Sequence, residues 1–348
     1  MYGGVLTAGE YSSDRLGGPV LAELRRRRPE LTWRGIAGPE LREAGLQPLG
    51  DVADLGITGL AEALPGLPAA WRAHRTLRAA MRTAPLAVTI DSPDLHLRLL
   101  RGARRAGCRT VQLVAPQFWV WRAGRAKQLA DGADLALCLW PFEVPLLRAH
   151  GCAAFCVGHP AVDRPMPART ASKGLRVLLL PGSRGHEIER HLPMFRAALA
   201  GIEHRATLVW AGVDKPVIDG VEVLTGPLHE HLDVDLVLVA AGTATLEVAL
   251  AGVPQIAVAS GTAFTQAVAR MWLRRAHYAL PNILLGRAAV PEIHGLELAP
   301  LAAAVRAAVD GLPGRRAAAE AVAEELRALL PPPGFAARVV DRLEPMLP

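Results

Sequence analysis

Short apolar runs of strand length alternate along this chain with longer stretches whose apolar residues recur every three or four positions, the rhythm of successive βα units. Gly4–Ala8 predicts a first strand, and Leu16, Leu21 and Leu24 mark the inward face of a helix over Asp14–Arg27. Further strands are predicted at Thr32–Ala37, Leu86–Ile90, Thr110–Ala115 and Leu135–Leu139, each trailed by a helix candidate. Residues 1–165 therefore read as one doubly wound domain. The segment His159–Lys173 holds Pro160, Pro165 and Pro167 without hydrophobic periodicity and reads as a linker.

The pattern then restarts, with strands predicted at Arg176–Leu180, Thr207–Ala211, Leu236–Ala240 and Gln255–Ala259, so a second doubly wound domain is expected over 166–330. Amphipathic Phe335–Met346, within 331–348, is expected to be a helix crossing back onto the first domain. The fold class is α/β, with a cleft expected between the carboxyl ends of two parallel sheets, where ligands of such folds lie.

With 51% hydrophobic residues in 348, the chain can bury two ordinary cores. Few aromatics and many alanines, leucines and valines suit helices on a parallel sheet better than a β-sandwich. A net charge of +6 attracts anions without choosing among nucleic acid, a phosphorylated sugar and an anionic membrane face. Cys108, Cys138, Cys152 and Cys156 form no CxxC pair, which argues against a zinc or redox site and fits a reducing compartment. Cys138, inside the apolar run Leu135–Trp140, reads as a small buried hydrophobe. Met1–Glu10 lacks the basic and apolar regions of a signal peptide. The longest apolar stretch, Val234–Ser260, is cut by Glu247, Pro254 and glycines, so no membrane span is expected. The run Arg25–Arg28 reads as a solvated helix end.

Three loops that follow predicted strands carry candidate chemistry. In Leu180-Pro-Gly-Ser-Arg-Gly-His-Glu187, Gly182 and Gly185 allow close backbone approach, the helix N-terminus and Arg184 offer charge and donors to a diphosphate, and Ser183 joins the nucleotide-sugar set; a helix start with a surface arginine is the alternative, and no Gly-Lys-Ser/Thr follows, so it is not a Walker loop. In Ala240-Ala-Gly-Thr-Ala-Thr-Leu-Glu247, Gly242 and Thr243 present phosphate donors, and Glu247 can accept from ribose hydroxyls. Asp91-Ser-Pro-Asp94 sets two carboxylates at the mouth of a strand, placed to take a proton from an attacking hydroxyl; either acid can be the base, and a turn cap is the bland alternative. A fourth segment, Ala115-Pro-Gln-Phe-Trp-Val-Trp-Arg122, is either core packing or a contact for sugar and acyl chain through Trp119, Trp121 and Arg122.

Taken in order, Gly9-Glu10-Tyr-Ser-Ser-Asp14, Ala37-Gly-Pro39, Ile90-Asp-Ser-Pro-Asp94, Trp119-Val-Trp-Arg122, Pro141-Phe-Glu143, Gly158-His-Pro160, Pro181-Gly-Ser-Arg184, Gly242-Thr-Ala-Thr-Leu-Glu247 and Leu280-Pro-Asn282 resemble the lipid-A-disaccharide synthase family from about residue 5 to about residue 295. The resemblance implies a GT-B fold of two Rossmann-like domains and an inverting transferase with no metal and no cofactor. Its substrates would be UDP-2,3-diacylglucosamine and 2,3-diacylglucosamine 1-phosphate, joined through a β-1,6 bond with release of UDP. It adds Glu10 to Asp91, Asp94 and Arg184 as candidate catalytic residues, and Thr245 and Asn282 to the nucleotide-sugar set. It implies a cytoplasmic protein peripheral on the inner membrane and no nucleic-acid partner. On that account Val52–Trp71, with Leu60 and Leu64, followed by Arg72, Arg75, Arg78 and Arg82, reads as a docking element for an anionic lipid surface rather than an ordinary helix pair. The chain departs from the family pattern at Ser13 (usually glycine), His96 (usually asparagine) and Ile293-His-Gly295, and is shorter between Arg196 and Asp235. A UDP-sugar epimerase, a transferase with another glycolipid acceptor and a non-catalytic UDP-sugar-binding protein are the alternatives.

Overall fold

The computed structural model describes residues 1–55, 63–119, 124–168, 170, 173–182, 185–210, 216–259 and 277–348, with backbone alone for 63–70 and 186. These residues form two compact units, Met1–Pro160 with Pro333–Pro348, and Ala161–Pro332.

The first unit is built on seven parallel strands, β1 (Tyr2–Ala8), β2 (Thr32–Ala37), β3 (Gln47–Asp51), β4 (Leu86–Ile90), β5 (Arg109–Leu113), β6 (Leu135–Cys138) and β7 (Ala154–Cys156), in the order β3-β2-β1-β4-β5-β6-β7. Strand order reverses between β1 and β4, which pair in register from Val5↔Ala87 to Ala8↔Ile90. Their carboxyl ends are the switch point at which open α/β sheets hold ligands. Strands β4 and β6 are almost wholly apolar because helices cover both faces of the sheet, and every β4 residue is buried.

The helix Tyr11–Arg27 buries Leu21 and Leu24, while Leu16 is only half-buried. The Arg25–Arg28 run is more than a solvated helix end, because Arg27 pairs with Asp341 at 2.7 Å and Glu344 at 3.2 Å. That ties the helix Phe335–Leu343, followed by a short 3-10 turn at Glu344–Met346, onto the first helix of the unit.

Six parallel strands make the second unit, β8 (Leu175–Leu180), β9 (His204–Val209), β10 (Glu222–Leu224), β11 (Leu236–Ala240), β12 (Gln255–Ala259) and β13 (Glu292–His294), in the order β10-β9-β8-β11-β12-β13. Its core packs Val177, Leu179, Phe195, Leu236, Leu238 and Ile256 against Leu301 and Val305 of the helix Leu298–Asp310. The reversal here falls between β8 and β11. Both sheets are doubly wound and Rossmann-like.

Candidate functional site

At the switch point of the first unit, β1 runs into Gly9 and Glu10, and β4 into Asp91. The side chain of Ser13 is fully buried under the first loop: its Oγ accepts from the N–H of Gly9 (3.2 Å) and Glu10 (3.1 Å) and donates to the Glu10 carbonyl (2.8 Å). A glycine here would lose all three bonds. Asp14 is buried and accepts from the N–H groups of Gly38, Glu40 and Leu41, capping the short helix Pro39–Glu43. Glu10 stays exposed, its carboxylate accepting from Ser12 Oγ at 2.6 Å.

The two acids after β4 are not equivalent. Asp91 is half-buried with a left-handed backbone (φ 50). Burial and then the Glu10 charge push its carboxyl up to about 6, against the opposing effects of the Ser92 N–H and Arg125. Asp94 is exposed and forms an ion pair with the buried guanidinium of Arg125.

A second carboxyl lies deeper. Glu143, 1% exposed, accepts from Trp119 Nε1 at 3.1 Å and from the Trp140 N–H at 3.2 Å. Burial pushes it up to about 8, with the charge of Asp91 adding to the rise. Trp119 is clamped by that bond and by an edge-on contact with Phe142 (5.0 Å between ring centroids, 88°). It is half-buried and packs on the Phe118, Leu129 and Leu147 cluster, so packing and exposure both apply to it. Sequence reasoning matched Glu143 only as part of a motif; an acid directly behind Trp140-Pro-Phe was the available signal. Trp121 and Arg122 lie outside the described residues, as does Leu60, and Leu64 belongs to the helix Ala63–Thr83 with its side chain outside them.

In the second unit β8 ends at Leu180, and Gly182 has φ 122, a conformation that a side chain would strain. Ser183 and Arg184 lie outside the described residues. The helix Gly185–Ala198 follows, and its buried His191 donates from Nδ1 to the Pro181 carbonyl at 2.7 Å, steadying the loop. Beyond β11, Gly242 and Thr243 are exposed at the start of the helix Thr243–Leu250, where free N–H groups favour an anion. Glu247 is half-buried and paired with Arg164 at 2.8 Å. Arg327 holds that partner in place, donating to the carbonyls of Val162 (3.0 Å), Arg164 (2.8 Å) and Leu250 (3.1 Å).

Two of the expected nucleotide-sugar residues are engaged with backbone groups. Thr245 is fully buried, its Oγ donating to the Gly242 carbonyl at 2.7 Å and accepting from the Leu280 N–H at 3.2 Å. Asn282, also fully buried, accepts from the N–H groups of Ala289 and Val290 and donates to the Val290 carbonyl. Thr245 holds the turn after β11, and Asn282 holds the turn that leads into β13.

Two parallel doubly wound units in one chain are the architecture of the GT-B class. The solved structure of the calicheamicin glycosyltransferase CalG4 is similar with a TM-score of 0.61 over 99% of this chain and 98% of its own, at 18% identity. MurG of Acinetobacter baumannii is similar with a TM-score of 0.56 over 98% of each chain, at 16% identity. The family model for lipid-A-disaccharide synthetase matches residues 5–210 and 225–330. Lipid-A-disaccharide synthase of Anaeromyxobacter dehalogenans (strain 2CP-C) is 38% identical over 369 aligned positions, gaps included, an alignment that covers 97% of this chain and 96% of the relative. The chain belongs to the lipid-A-disaccharide synthase family.

Proposed function

We propose that this chain transfers 2,3-diacylglucosamine from UDP to the 6-hydroxyl of 2,3-diacylglucosamine 1-phosphate with inversion, giving the β-1,6 disaccharide 1-phosphate and UDP. The observation that carries this is the family match over nearly the whole length, which favours the transferase over the epimerase and over a non-catalytic UDP-sugar binder. Asp91 takes the hydroxyl proton as the acceptor oxygen bonds to the donor's anomeric carbon, and the bond to the diphosphate breaks with its electron pair leaving on UDP. Asp94, exposed and engaged with Arg125, is the weaker candidate for that role. Gly182, Gly242 and Thr243 receive the diphosphate on backbone N–H groups, Arg184 neutralises its growing charge, and Glu247 binds the ribose. No metal takes part in this scheme. Mass spectrometry of the products from that donor and acceptor, with and without EDTA, tests it; hydrolysis or epimerisation of the UDP-sugar without acceptor would sink it.

If Arg184 meets charge that grows in the transition state, Arg184→Ala should lower turnover on the order of a hundredfold. Near-normal turnover would remove it from the mechanism.

An acylated acceptor has to be drawn from a bilayer, and we place the enzyme peripherally on the cytoplasmic face of the inner membrane. Among the described residues no helix is long and apolar enough to cross a membrane. The helix Ala63–Thr83 shows Trp71 62% exposed with the Arg75 guanidinium 5.4 Å over its ring, and exposes Arg72, Arg78 and Arg82 while burying Leu77 and Met81. An exposed indole among arginines suits an anionic headgroup region. Leu60→Ser with Leu64→Ser should reduce sedimentation with anionic vesicles and raise the KM for lipid acceptor, with UDP affinity unchanged. Parent-like vesicle binding together with a much lower melting temperature would assign these leucines to the core instead.

A further inference from the structure

Among the described residues, non-glycine backbone is left-handed only at Asp91 (φ 50), Ser92 (φ 47) and Val114 (φ 69). All three lie at the carboxyl ends of β4 and β5. Side chains with Cβ atoms resist this conformation, so something must hold it. Beneath it run three fully buried polar side chains, Thr89 on β4, Gln112 on β5 and His96 on the helix Pro93–Arg105.

The Gln112 amide nitrogen lies within hydrogen-bond distance of three carbonyls, those of Asp91 (3.1 Å), Leu113 (3.1 Å) and Val114 (3.0 Å). Carbonyls only accept, so these three fix which end of the amide faces the turn, and the amide oxygen accepts from Thr89 Oγ at 2.7 Å. The Asp91 carbonyl also receives His96 Nδ1 at 2.7 Å. A carbonyl cannot donate, so the imidazole carries its proton on Nδ1. His96 Nε2 is left buried without a partner, a cost to the fold that the bond to Asp91 must justify. Complete burial drives its pKa down to about 4, which keeps the ring neutral and this tautomer in place at physiological pH.

We propose that Gln112 and His96 are positioning residues that together grip the Asp91 carbonyl and hold the strained Asp91-Ser92 turn, so that the Asp91 carboxylate is presented at the switch point. The inference rests on Asp91 being the base. Both grips act on the backbone and leave the carboxylate free for the acceptor hydroxyl. It is faced by Glu10 and Glu143 as acids and by Arg125 as the cation.

The test is the series His96→Leu, His96→Asn and Gln112→Leu, each checked for parent-like circular dichroism and UDP affinity. Loss of either grip should lower kcat by 10- to 100-fold with KM for the UDP-sugar within about twofold. Asparagine can offer an N–H toward the same carbonyl, so His96→Asn should recover most of the activity that leucine loses. A general structural lesion gives no such rescue. Asp91 titration followed by carboxyl carbon NMR supplies a second readout: near 6 in the parent, and drifting toward the ordinary carboxylate range as the turn relaxes into water. If His96→Leu fails to fold, Gln112→Leu and Thr89→Val carry the same test. Unchanged kcat and unchanged Asp91 titration in the folded variants would overturn the proposal. Full turnover by Asp91→Asn would instead remove the base assignment, while the titration shift would still report whether the grip exists.

Discussion

Asp91→Asn is expected to lower turnover on the order of a thousandfold while UDP affinity stays within about twofold of the parent. The size follows from what a positioned base contributes, since asparagine keeps the shape and cannot take a proton. The sparing of UDP follows from location, because the carboxylate sits in Met1–Pro160 and the glycine loops in Ala161–Pro332. Asparagine also tolerates a left-handed backbone, so the turn at φ 50 is not disturbed. Turnover of the parent should rise with pH through about 6 as Asp91 ionises. Any residual activity of the variant should lack that limb.

The same shift predicts a change in stability of opposite sense to the change in activity. A carboxyl raised from 3.8 to about 6 binds its proton more tightly in the folded chain than in the unfolded one. Folding stability therefore falls as pH climbs between those values, and above about 6 the penalty of an ionised Asp91 is fully present. With the shift from 3.8 to about 6, it amounts to on the order of 2–3 kcal/mol. Asparagine carries no such penalty. Denaturant melts should show Asp91→Asn more stable than the parent at pH 7.5, with the difference gone near pH 4. Loss of UDP binding, or equal stability at both pH values, would show that Asp91 has been given the wrong role.

Strands in the middle of each sheet were legible in the sequence. Leu86–Ile90, Leu236–Ala240 and Gln255–Ala259 lie between two neighbours and under helices on both faces, so each is a near-continuous apolar run. The four strands not predicted, β3, β7, β10 and β13, are the four edges of the two sheets. An edge strand pairs on one side only, and sequences such as Gln47-Pro-Leu-Gly-Asp51 and Glu292-Ile-His294 are short, polar and half exposed. Asp91 was legible as a candidate because an acid ending a buried strand is conspicuous. Gln112, His96 and Glu143 were not, since their roles come from neighbours 21, 5 and 24 positions away. Thr245 and Asn282, polar residues in recognisable motifs, are engaged with backbone groups, a partnership that the sequence does not display.

Gly9→Ala should prove the most disruptive single methyl in the first unit's site, because the added carbon would lie 2.3 Å from Ser92 Oγ and 2.4 Å from Ser92 Cβ. Neither contact relaxes easily. The Cβ is fixed to a backbone already left-handed at φ 47, and Ser13 holds the N–H groups of Gly9 and Glu10 from the other side. Either the Gly9-Glu10 loop or the Asp91-Ser92 turn must move, and both carry candidate catalytic acids. A displacement approaching 1 Å costs on the order of a hundredfold in kcat. The overpacking itself should cost about 1–3 kcal/mol of stability, comparable with the roughly 2.7 kcal/mol that a hundredfold loss of kcat represents. UDP affinity should hold, since both loops belong to the first unit. Removing the obstacle should reverse the damage: Ser92→Gly deletes both clashing atoms and accepts a left-handed backbone without strain. Gly9→Ala with Ser92→Gly should therefore recover most of the parent's kcat, with a double-mutant cycle showing strong favourable coupling. Additive losses in the double variant would mean that Gly9 is required for some reason other than its approach to Ser92.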